Sequence, residues 1–186
     1  MLNHSIIIPC AGDFQNSNSG FVNYSSNAML PLNGKPVISW IIDNLKEKNI
    51  YDIIVVSRIE DIELNDFLNW AYNDIKLVHV ESGNSKTILE SIFSGICNIQ
   101  IGINHIISIL LGDTLIFDSF DNSVDYLFAG YKNDSKKWCY VEFSSDNLLV
   151  DLKDDIRNDN VSALVASGYY NFVNGIVLKK CLEECV

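Results

Sequence analysis

Along the first 111 residues, short apolar runs alternate with amphipathic helical stretches, and no other property of the chain narrows its fold so far. Ser5–Pro9, Ile53–Val56, Lys76–Val80 and His105–Leu111 are dense in aliphatic residues and bounded by turn formers, which marks strands buried on both faces. Between the first two, Val37, Ile38, Ile41, Ile42 and Leu45 recur at helical spacing before the polar Lys46-Glu47-Lys48-Asn49; Ile62–Tyr72 and Thr87–Cys97 repeat the pattern. Strand, helix and strand in succession require a crossover, so the alternation predicts a parallel, doubly wound sheet flanked by helices. After Asp113 the texture changes. Tyr126–Tyr131, Trp138–Phe143, Leu148–Leu152 and Ala163–Phe172 read as strands joined by short polar turns, with a last helix from about Val177. The expectation is one α/β domain over residues 1–186, mainly parallel and open to continuation in a longer polypeptide.

Charge and composition exclude several classes of function. The formal net charge of −11 argues against nucleic-acid and anionic-membrane partners, both of which recruit basic faces. No basic segment with a hydrophobic run opens the chain, and no apolar stretch nears the roughly 20 residues of a membrane span. The five cysteines are odd in number and lack paired metal spacing, which suits a reduced cytoplasm without membrane insertion. Cys181 and Cys185 lie four apart on one expected helix face and read as surface or core thiols before a metal site. His4, His79 and His105 fall within or beside strands, where packing accounts for them.

Two strand ends carry chemistry. Pro9-Cys10-Ala11-Gly12 closes the first strand, and in an open α/β sheet ligands sit beyond the carboxyl ends of the strands. Small residues there let backbone N–H groups approach a base or a phosphate, although a plain tight turn has the same composition. Leu110-Leu111-Gly112-Asp113 ends the fourth strand at the same sheet edge. A carboxylate in that place can hold a hard divalent cation that bridges phosphate oxygens, or it can cap the following turn. A polar loop over residues 13–27 then leads through Leu30-Pro31-Leu32-Asn33-Gly34-Lys35-Pro36 into the first helix.

Ala11-Gly12, the Leu-Pro-Leu-x-Gly-Lys-Pro run, Gly112-Asp113 and Ser167-Gly168-Tyr169-Tyr170-Asn171-Phe172 stand in order along most of the chain. Together they resemble the sugar-phosphate nucleotidyltransferases, also called nucleoside-diphosphate-sugar pyrophosphorylases. That family shares the Rossmann-like GT-A fold of the nucleotide-diphospho-sugar transferases. The resemblance implies transfer of a nucleotidyl group from an NTP to a phosphorylated small molecule, with release of pyrophosphate, in surface polysaccharide or lipid synthesis. It further implies that Ala11, Gly12, Asn27 and Gly112 meet the nucleotide, that Asp113 holds Mg²⁺ and that Gly168 lines the sugar side. Ser85 and Thr87, within or just after Gly83-Asn84-Ser85-Lys86, lie where the family contacts the base; capping of the next helix is an equal alternative. Asp154 or Asp155 matches the family's acidic segment loosely. A second copy or a fused biosynthetic domain would be the protein partners.

This sequence departs from the family pattern at three places. The first loop begins Asp13-Phe14-Gln15-Asn16 in place of a Gly-rich run with an Arg, Asn27 stands where the family has a Lys, and the family's second metal-binding Asp has no counterpart before Val186. Removing one such donor costs about 2.7–4 kcal/mol of transition-state stabilisation, by analogy with oxyanion donors. Lys35 and Lys86 are the candidates to stand in as catalytic cations. Two other functions therefore stay open. One is an impaired relative that binds nucleotide or nucleotide-sugar without turnover. The other is a GT-A glycosyltransferase, for which Gly112-Asp113-Thr114 lacks the first Asp of the usual Asp-x-Asp.

Overall fold

The computed structural model describes residues 3–12, 24, 26–81, 87–132, 138–153 and 163–186. Its elements run β1 (His4–Pro9), a 3₁₀ turn (Asn27–Met29), β2 (Pro31–Leu32), β3 (Lys35–Pro36), α1 (Val37–Glu47), β4 (Asp52–Arg58), α2 (Ile62–Ala71), β5 (Lys76–Val80) and α3 (Ile88–Ile96). They continue with β6 (Ile106–Leu110), β7 (Tyr126–Lys132), β8 (Tyr140–Phe143), β9 (Leu149–Lys153), β10 (Ala163–Phe172) and α4 (Gly175–Cys185).

The period-2 geometry of a strand explains why β1 and β4 carry consecutive apolar residues through their middles, Ile6–Ile8 and Ile53–Val56. Ile6 and Ile8 of β1 join Ile53 and Val55 of β4 in one core layer, with Ile38, Ile41, Ile42 and Leu45 of α1 and Leu64 and Leu68 of α2. Ile7, Ile54 and Val56 point to the opposite face, where Ile92 and Ile96 of α3 and Leu178 and Leu182 of α4 cover them. The sheet order is β5-β4-β1-β6-β10-β8-β9, with β7 paired to β10. β4 and β6 flank β1 in parallel, with Ile7 beside Ile54 on one side and Ile109 on the other. β5 extends this parallel set beyond β4, and β10 joins β6 antiparallel with Asn171 beside Ser108. The fold is thus a mixed, mostly parallel sheet with helices on both faces, as the alternation predicts.

Leu32-Asn33-Gly34-Lys35 is a two-residue hairpin turn between β2 and β3 that the sequence reading passes over as a loop. Asn33 (φ 48°) and Gly34 (φ 89°) both take positive φ, as a type I′ turn requires. On the far half of the sheet, Tyr131, Phe143, Leu149, Leu152, Leu164 and Tyr170 line an apolar groove of about 750 Å³.

Two histidines do more than pack. Asn171 donates from Nδ2 to the Val124 carbonyl (2.9 Å), so its Oδ1 accepts from Ser108 (2.8 Å). Ser108 Oγ has one proton, given to Asn171, and accepts from the buried Tyr169 hydroxyl (3.0 Å). His4 Nε2, 2.8 Å away, must therefore donate. By the same count Ser5 gives its proton to Asp52, so His105 Nε2 donates to Ser5 Oγ at 2.7 Å. Among the described residues, the buried Nδ1 atoms of both rings have no hydrogen-bond partner.

Burial, and then the neighbouring His105, push the His4 pKa from 6.5 down to about 4, with Asp52 opposing. The unfolded chain takes a proton that the folded chain refuses, so stability rises with pH across that window. The contribution of neutral His4 is complete above pH 6.5 and is lost as pH falls toward 4. Urea unfolding is expected to give about 2 kcal/mol less stability at about pH 4.5 than at about pH 7, from this group. A His4→Gln variant should flatten that slope; an unchanged slope would assign it to other groups.

Candidate functional site

The chain leaves β1 toward β4 on one side and later returns to β6 on the other. The crevice between the carboxyl ends of β1 and β6 is therefore the switch point at which open α/β sheets bind ligands. A pocket of about 150 Å³ lies there, lined by Cys10, Gly12, Ser26, Asn27, Gly112 and Asp113 among others.

Each residue is placed by a local device. The Cys10 N–H donates to the Val56 carbonyl (2.7 Å), which carries the chain one step past β1 and buries Cys10 and Ala11. Gly12 follows in the open, where a Cβ would find nothing within 4 Å. Ser26 caps the 3₁₀ turn by accepting from the Ala28 N–H (3.3 Å), which leaves Asn27 facing the pocket. On the β6 side, the Thr114 N–H donates to the Leu111 carbonyl (3.0 Å) and closes a turn that exposes Asp113. Asn27 Nδ2 reaches across to Asp113 Oδ2 at 3.3 Å, so residues 86 positions apart meet at the crevice.

Two glycines permit the close approach. A Cβ on Gly112 would lie 2.5 Å from Cys10 Sγ, inside any real contact. Gly168, at φ +92°, lets β10 bulge between Ala166 and Tyr170 while its carbonyl accepts from Leu111 N–H (2.9 Å). A Cβ there would come within 2.9 Å of Leu111 Cγ and Thr114 Oγ1. Gly168 thus supports the turn that carries Asp113 and does not itself line the pocket. Gly168→Ala is expected to cost about 1–3 kcal/mol, from the positive φ and the clash together. Urea unfolding checks this, and a loss under about 0.5 kcal/mol would mean that the turn yields freely.

The pocket is electrostatically unusual for phosphates. Among the described residues no Lys or Arg lines it. Lys35 pairs with Asp43 of α1 and lies over the Trp40 ring (3.9 Å to its centroid), while Trp40 Nε1 donates to the Leu32 carbonyl (2.8 Å). The structure therefore uses Lys35 to clamp the hairpin onto α1 and does not bring it to Asp113. Arg58, which the sequence reading passes over, ends β4 on the same edge, with its guanidinium on Asp61 (3.0 Å). Burial, then the Asp113 and Asp61 charges, hold the Cys10 thiol far above its ordinary range, so it stays protonated and unreactive.

Thr87 forms a capping box with Glu90 at the start of α3: its Oγ1 accepts from Glu90 N–H (3.2 Å) and Glu90 Oε2 accepts from Thr87 N–H (2.8 Å). Ser85, Lys86, Gly83-Asn84, the loop from Asp13, and Asp154 and Asp155 lie outside the described residues. Cys181 and Cys185 are exposed free thiols on α4. Among the described residues no group of three or more His, Cys, Asp and Glu side chains is arranged to hold a metal ion. No helix among them is long and apolar enough to cross a membrane.

No protein-family model matches the chain, and no curated protein matches it by sequence. Solved structures do. The fold is shared with solved nucleotidyltransferase structures. CTP:phosphocholine cytidylyltransferase from Streptococcus pneumoniae superposes at a TM-score of 0.79 with 20% identity, over 99% of this chain and 78% of its own. UDP-glucose pyrophosphorylase complexed with UDP-glucose gives 0.72 at 16% identity, over 99% and 80%. A putative glucose-1-phosphate thymidylyltransferase from Bacillus anthracis gives 0.72 at 14%, over 94% and 72%. At these identities the likeness establishes the fold.

Proposed function

We propose that the protein is a metal-assisted nucleotidyltransferase that moves NMP from an NTP to a sugar phosphate or similar phosphorylated small molecule. The observation that carries this reading is the meeting of Asp113 and Asn27 with the Cys10–Gly12 turn at the β1/β6 crevice, 3.3 Å apart in the case of the two side chains. The neighbours that share the architecture are a cytidylyltransferase, a pyrophosphorylase and a thymidylyltransferase.

In this reading the backbone N–H groups around Ala11 and Gly12 approach the nucleotide, with no side chain at Gly12 to obstruct it. Asp113 suits Mg²⁺, which is commonly held by one or two carboxylates with substrate phosphates and water completing its shell. An exposed carboxylate beside an amide fits that pattern. Bound there, Mg²⁺ would neutralise charge on the phosphate oxygens. Asn27 holds the Asp113 carboxylate in place, and the Gly112 turn keeps it at the crevice mouth. The product would serve surface polysaccharide or lipid synthesis in the cytoplasm.

Release of pyrophosphate from each NTP, with a panel of sugar 1-phosphates and phosphocholine, tests the proposal. Turnover with one pair supports it; silence across the panel at high enzyme rejects catalysis. The lack of Lys or Arg lining the pocket among the described residues favours a second reading, a relative that binds nucleotide without turnover. Calorimetry with NTPs and nucleotide-sugars plus Mg²⁺ separates the two, because tight binding without pyrophosphate release selects the second.

A further inference from the structure

The amino ends of β1, β4 and β5 open onto a polar cleft of about 690 Å³, at the edge opposite the Asp113 crevice. β1 spans six residues, so the two sites lie about 20 Å apart. Lys48 and Lys76 border the cleft, with Asn98, Gln100 and Asn122 on its walls and His4 and His105 at its inner side. In a chain of net charge −11, two ammonium groups against the single Asp52 carboxylate make a local concentration of positive charge.

Both lysines are pre-positioned. Lys48 Nζ donates to the carbonyls of Phe117 (3.0 Å) and Asp118, and Lys76 Nζ donates to the carbonyl of Asn98. An ammonium has three donors, so each keeps at least one for a ligand. His105, only 4% exposed, spends Nε2 on Ser5, and His4 spends its own on Ser108, so both rings are fixed beneath the cleft. The cleft thus offers cations for an anion and side-chain amides for hydroxyl groups.

We infer that this cleft is a second small-molecule site that takes a hydroxylated phosphate ester, with the phosphate at Lys48 and Lys76 and the hydroxyls toward the amides of Asn98, Gln100 and Asn122. It is independent of catalysis at the crevice and holds whether or not the protein turns over NTP. The volume lies within the range of small-molecule sites, about 300–1,000 Å³.

Glucose 6-phosphate, inorganic phosphate and glucose are the probes, titrated into the full chain by calorimetry and by NMR of the ring protons of its three histidines. Glucose 6-phosphate is expected to bind saturably and to shift His4 and His105 while His79 stays put. A Lys48→Gln/Lys76→Gln pair should weaken it at least about tenfold, whereas Asp113→Asn leaves it unchanged; should the pair fail to fold, Lys76→Gln alone serves. Absence of saturable binding, inorganic phosphate binding as tightly, or loss of binding in Asp113→Asn with retention in the lysine variants would each overturn the inference.

Discussion

Asp113→Asn is expected to lower Mg²⁺-dependent turnover by about 10²–10³-fold, the scale seen when one charge-stabilising group is removed from a preorganised site. The change is nearly isosteric, and the side chain is exposed at the crevice mouth. The turn beneath it depends on the Leu111–Thr114 hydrogen bond and on Gly168, not on the carboxylate. Stability should therefore stay within about 0.5 kcal/mol of the parent, as for surface substitutions away from special features. If the protein only binds nucleotide, the same loss appears as a vanished Mg²⁺ dependence of affinity in calorimetry. Turnover and affinity both within threefold of the parent would remove Asp113 from the site.

Asn27→Lys should act in the opposite sense. Asn27 sits on a one-turn 3₁₀ segment whose cap is Ser26 and whose buried anchors are Ala28 and Met29, so the turn does not need the amide. A lysine there would place an ammonium at the pocket that the described residues leave without one. One added donor to a developing phosphate charge is worth about 2.7–4 kcal/mol, so pyrophosphate release is expected to rise by about 10²-fold. Neither turnover nor nucleotide affinity rising would show that the charge is already supplied from elsewhere in the protein.

The parallel half of the fold was legible because β1, β4 and β6 carry aliphatic runs between amphipathic helices, a pattern with few other homes. Their strand ends then placed Ala11-Gly12 and Gly112-Asp113 on one edge, although the two motifs stand far apart in the chain. What stayed hidden depended on pairings that no local period encodes. Lys35 reads as a free cation in a Gly-Lys-Pro run; only the I′ hairpin turns it onto Asp43 and Trp40, eight and five residues further on. The Asn33-Gly34 dipeptide was the available signal for that hairpin. His4 and His105 read as packing residues, because their roles rest on the β1–β4 and β1–β6 registers that bring Asp52 and Ser108 alongside them. Arg58 looked like an ordinary strand end, and its engagement with Asp61 needed the turn before α2.

The contact between Cys10 and Gly112 has a consequence for how sequences of this kind can diverge. The sulfur fills the space that any side chain at 112 would need, so the two positions form a single steric allele. A larger residue at 112 is admissible only after position 10 has shrunk, and a bulkier residue at 10 would press on the backbone that presents Asp113. Enlargement at either position alone therefore passes through a displaced Asp113. Exchange of the cysteine for alanine would remove that sulfur and leave the neighbouring glycine room to change next.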